Sequence, residues 1–66
     1  MYWTEAWSDH LHRWHPISAW WSHEAADRMA DSMAKTYGGL YRLTHGRKRK
    51  PMGMYYDHPR ADWARQ

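Results

Sequence analysis

Sixty-six residues with six Trp, five Tyr, five Met, no Phe and no Cys make one small domain at most, and they exclude disulfide staples, thiolate zinc sites and thiol catalysis. Aliphatic material is scarce, with four Leu or Ile and no Val, so any core must be built from Trp, Tyr, Met and Ala. The net charge of +3 is unevenly spread: two Arg against five carboxylates give −3 over residues 1–34, and eight Lys or Arg against two Asp give +6 over residues 35–66.

An acidic, Trp-rich front half joined to a basic back half suggests that the two halves meet different surfaces. No run approaches the length of about eighteen apolar residues that a spanning helix needs, and the N-terminus has no basic segment followed by an apolar one. The sequence is therefore read as soluble and cytoplasmic, without membrane insertion.

In chain order, the first expected element is a helix that starts near Thr4 and ends before Pro16. At about 100° per residue, Trp3, Trp7, Leu11 and Trp14 share a stripe, with Glu5, Asp9, His12 and Arg13 opposite. A second helix is expected from residues 16–18 to Tyr37, stopped by Gly38 and Gly39. Its apolar side carries Ala26, Ala30, Met29, Met33 and Tyr37, and its charged side pairs Glu24 with Arg28 and Asp31 with Lys35 at i,i+4.

These elements predict a mostly α protein: an antiparallel helical hairpin over residues 1–37, Trp stripe against Ala/Met stripe, followed by a basic arm and tail over residues 38–66. In the arm, residues 40–44 read as a short strand or extended segment, His45 and Gly46 as a turn, and residues 52–56 as a second strand pairing back. A last helical turn is expected over residues 60–65. Trp20 falls among the charged residues of the second helix and, with Trp21 and Trp63, remains as an anchor for a partner.

Metal and catalytic patterns are weak. His12 and His15 stand at i,i+3, but His10 and His12 lie on opposite sides of the expected helix, and His23 with Glu24 lacks the rest of a zinc motif. There is no phosphate-binding loop and no nucleophile set, so neither an enzyme nor a cofactor is expected.

The sharpest motif is the run Arg47, Lys48, Arg49, Lys50. Four consecutive cations repel one another and stabilise no fold, which points to a polyanion rather than to a merely solvated loop. Tyr41 and Tyr55 flank the run as candidate stacking residues. Two functions follow. The leading one is a small protein-interaction factor, an accessory subunit or inhibitor of a larger protein or nucleoprotein assembly, using Trp20, Trp21 and Trp63. The alternative is a nucleic-acid-binding protein in which residues 47–50 contact phosphates while the helices form a homodimer or position the arm.

Overall fold

The computed structural model describes residues 1–59 and is built mainly of antiparallel sheet. Its elements are β1 (Tyr2–Ser8), β2 (Arg13–Trp20), α1 (His23–Tyr37), β3 (Gly39–His45) and β4 (Lys50–His58). The strands form one sheet in the order β2-β1-β3-β4, and α1 carries the chain across one face from β2 to β3. Trp63 and the expected terminal turn lie outside the described residues.

The expected first helix is a β-hairpin, which overturns the helical-hairpin architecture. Trp3 and Trp7 are four apart, an even spacing, so they share a face on a strand as well as on a helix. What decides is the content: β1 and β2 are rich in Trp, Tyr, Thr and Ile, whose bulky or branched side chains suit a pleated surface. Trp14 does join Trp7, as its cross-strand partner. Leu11 does not: it sits in the exposed turn, its N–H donating to Ser8 Oγ at 3.1 Å. The same change removes the helical spacing through which His12 and His15 would share an ion.

Pro16 is accommodated because β2 is an edge strand, where a missing N–H breaks no inner ladder. The register of β2 shifts between Thr4 and Glu5, leaving Ile17 as an extra residue. The other edge, β4, carries Pro51, and three of its residues, 52–54, stand against Leu43 where the register shifts again. Gly53, with φ 78°, occupies the bulge in a region that L side chains rarely adopt.

The second expected helix exists but is shorter. Ser22 caps it, its Oγ accepting from Ala25 N–H at 3.1 Å, so residues 16–20 are left to β2. Its end is as read: Gly38, at φ 74°, donates its N–H to Ala34 O at 2.8 Å. Asp31 pairs with Lys35 at 2.9 Å on the exposed side.

Ala26, Ala30 and Ala34 form the buried side of α1, and their small size lets the helix lie close on the sheet. They meet Tyr41 and Leu43 of β3, with Tyr2, Ala6, Trp20, Met33, Met54 and Tyr56 around the margin. Thr4 Oγ1 ties sheet to helix by donating to Ala26 O at 2.9 Å. The expected contact of Trp3, Trp7 and Trp14 with the Ala/Met side is absent, because alternation along β1 sends Tyr2, Thr4 and Ala6 toward α1 and the indoles the other way. The residues expected to form an extended arm are instead β3, an inner strand, and β4, its neighbour.

Candidate functional site

Only one face of the sheet is covered by α1. Among the described residues no other element crosses the opposite face. There, β1 contributes Trp3, Glu5 and Trp7; β2 contributes Trp14; β3 contributes Arg42 and Thr44; and β4 contributes Tyr55, all set by the period of two and the pairings Trp7↔Trp14, Glu5↔Arg42, Trp3↔Thr44 and Arg42↔Tyr55.

At the centre, Glu5 is buried and Arg42 Nε donates to its Oε1 at 2.8 Å. That bond fixes the guanidinium over the Trp14 ring, 4.3 Å from its centroid. Trp7 meets Trp14 edge-on at 5.5 Å, and the Tyr55 ring lies 6.2 Å from Trp14, tilted to it. Tyr55 is 55% exposed, so the aromatic group ends in an accessible ring.

Arg49 reaches the same carboxylate from the β3–β4 turn, its Nη1 lying 3.3 Å from Glu5 Oε2. The contact is an ion pair without hydrogen-bonding geometry, and Oε2 is a buried acceptor with no hydrogen bond. Thr44 Oγ1, on the same face, is buried and lacks a hydrogen-bond partner as well. One buried anion thus lies beneath two cations, a net positive centre ringed by indoles.

The turn itself is held by its backbone. Arg49 N–H donates to Gly46 O at 3.1 Å, and Gly46 N–H donates to Met1 O at 2.9 Å. Trp3 Nε1 also donates to Gly46 O, at 3.1 Å, which joins the turn to the uncovered face. Arg47 and Lys48 are exposed at the tip, and Arg47 lines a cleft of about 300 Å³ with Met1, Trp3 and Gly46. Lys50 pairs in register with His45, at the start of β4.

The residues singled out in the sequence are therefore divided. Arg47, Lys48, Arg49 and Tyr55 border or lie on the uncovered face. Tyr41, expected to stack on a ligand, is 6% exposed and belongs to the core under α1. Trp20, expected to project from a helix, ends β2, donates to Ser18 Oγ at 2.8 Å, and lines a groove of about 400 Å³ with Ala25, Arg28, Met29 and Ser32. Trp21, the next residue in the chain, is 86% exposed.

Trp3, Glu5, Trp7, Trp14 and Arg42 were not read as site residues. The alternation Trp3-Glu5-Trp7, a carboxylate between two indoles at strand period, was the available signal. Among the described residues, no group of three His, Asp or Glu is placed to hold a metal ion, and no helix is long and apolar enough to cross a membrane. No family model matches this chain, and no curated protein or solved structure gives a significant match to it.

Proposed function

We propose that the protein binds single-stranded nucleic acid across the uncovered face of its sheet, holding bases by stacking and phosphates through the basic turn, and that it acts by binding, without catalysis, in the cytoplasm. One observation carries this reading: the Arg42 guanidinium lies over the Trp14 ring, with Trp7 and Tyr55 in ring contact with that indole, on a face that Arg49 of the basic turn reaches. Unpaired bases stack on aromatic rings and guanidinium planes, and a neighbouring positive strip follows the backbone. A duplex hides its base faces and gains only the second of these terms.

Tyr55 is the test residue because its ring is exposed and removing it disturbs little of the fold. Base–aromatic stacking is worth about 1–3 kcal/mol per base, so Tyr55→Ala is expected to weaken binding of an oligonucleotide of about a dozen nucleotides by roughly 5- to 150-fold. Fluorescence anisotropy with a labelled single strand measures this, with circular dichroism to show that the fold is kept. Equal affinity for the variant and the wild type would remove the stacking basis of the proposal.

A second reading, attachment to a larger protein or nucleoprotein assembly, is favoured by the groove that Trp20 lines beside α1 and by the exposed Trp21 that follows it in the chain. The groove lies on the helix side, so both surfaces can be occupied together. Trp21→Ala is expected to abolish recovery of such a partner and to leave oligonucleotide affinity unchanged, a pair of outcomes read by affinity capture after nuclease treatment and by the same anisotropy titration.

A further inference from the structure

Glu5 is an odd residue to bury on a face that meets a polyanion, and its geometry suggests a use. Its Oε1 is committed to Arg42, but its Oε2 is a buried acceptor with no hydrogen bond, and Arg49 Nη1 is the cation that stands 3.3 Å from it. Arg49 is a loose cover: its side chain is 40% exposed, it comes from a turn, and its contact with Oε2 is an unaligned ion pair. We propose that, within the single-strand reading above, the uncovered face selects bases carrying an exocyclic amino group (adenine, cytosine and guanine) over uracil and thymine, with Glu5 Oε2 as the acceptor that makes the choice.

The argument runs through the partners each group gains. A phosphate offers Arg49 aligned, charge-assisted hydrogen bonds that Glu5 Oε2 does not give it. Once Arg49 turns to phosphate, Oε2 is left as an uncovered carboxylate oxygen among indoles, and leaving a charged acceptor unmet is costly. Glu5 lies between Trp3 and Trp7 on β1, and alternate residues on a strand stand about 7 Å apart, so a base laid against either ring brings its edge to the carboxylate.

An amino group at that edge supplies the missing N–H donor. Uracil and thymine place a carbonyl where cytosine has its amine, and their N3–H donor stands between two carbonyl oxygens that repel a carboxylate. Thr44 Oγ1, buried and without a partner one pairing along, is a second group that the same base or its phosphate can satisfy. A site built around an unmet acceptor rejects an analogue lacking the donor more strongly than an apolar site would.

The deciding comparison is oligo-C against oligo-U of equal length, because both are pyrimidines with similar stacking surfaces; oligo-A is the third arm. The wild type is expected to bind oligo-C about tenfold more tightly than oligo-U, the gain of one charge-assisted hydrogen bond. Glu5→Gln is expected to shrink that ratio to about twofold or less, since its amide turns an obligate acceptor into a group that also donates. Equal wild-type affinities for oligo-C and oligo-U would overturn the selection while leaving the face as a single-strand site, as would an unchanged ratio in Glu5→Gln. Binding of none of the three would overturn both readings at once. If Glu5→Gln fails to fold, Glu5→Asp takes its place: it keeps the charge but draws the carboxylate back by one methylene, the same loss of preference for oligo-C is expected, and an unchanged ratio overturns the assignment to Glu5.

Discussion

Leu43→Ala is expected to unfold the protein or bring it to the edge of unfolding at room temperature. Among the described residues, Leu43 is the largest fully buried side chain, and the other buried apolar residues are three alanines and Tyr41. Truncating a buried Leu costs about 2–5 kcal/mol, depending on how far the site can collapse. A domain of this length commands only about 3–10 kcal/mol in total. Collapse has little to draw on, because the alanines facing Leu43 cannot extend into the gap. Urea denaturation followed by circular dichroism should show the midpoint falling to the start of the titration, whereas a midpoint close to that of the wild type would mean that the α1–β3 contact is not what holds the chain together.

Replacing Arg47, Lys48, Arg49 and Lys50 with Ala together is expected to have the largest effect on binding. Each phosphate neutralised on a single strand contributes about −0.7 to the slope of log affinity against log salt, so losing four contacts should flatten that slope by about 3. Arg49 adds a further loss, because without it Glu5 faces the ligand phosphates with one cation fewer. The fold should survive with some loss of stability, since Glu5 keeps Arg42 when Arg49 is gone and the hydrogen bonds that shape the turn come from the backbone of Arg49 and Gly46 and from the Trp3 indole. Titrations at several salt concentrations with both proteins measure the difference. Parallel slopes would place the phosphates elsewhere on the molecule.

The comparison of sequence with structure turns on a few residues. The stop at Gly38 and the charged outer side of α1 were legible, because glycine and i,i+4 charge pairs each have one local meaning, whereas over residues 40–44 and 52–56 a strand was only one of two readings beside an extended arm, and the pairing of β3 with β1 is what decides it. The front half was not legible. Trp3, Trp7 and Trp14 fit a helical stripe and a strand face equally well, and what separates the two is Glu5. A helix places it opposite the indoles, whereas the strand places it among them, where only Arg42 and Arg49, some 40 residues away in sequence, make its burial tolerable. Burial of a charge against a distant partner leaves no local trace. The basic run was visible for what it is, but the surface it borders depends on the β1–β3 pairing, which no short window contains. Tyr41 was misread for the same reason: its role follows from facing Ala6 across an inner strand pair, not from its nearness to the cations.

The two outer strands carry a consequence for how this molecule meets others. β2 is interrupted by Pro16 and the displaced Ile17, and β4 by Pro51 and the bulge at Gly53, so neither rim offers an unbroken ladder of amide and carbonyl groups to an incoming strand. Sideways growth into ribbons or fibrils is thereby discouraged, even for a chain whose strands are rich in Trp and Tyr. Association is channelled onto broad surfaces instead. A crowded solution of this protein should resist fibril growth while its aromatic face remains open to whatever can lie flat upon it.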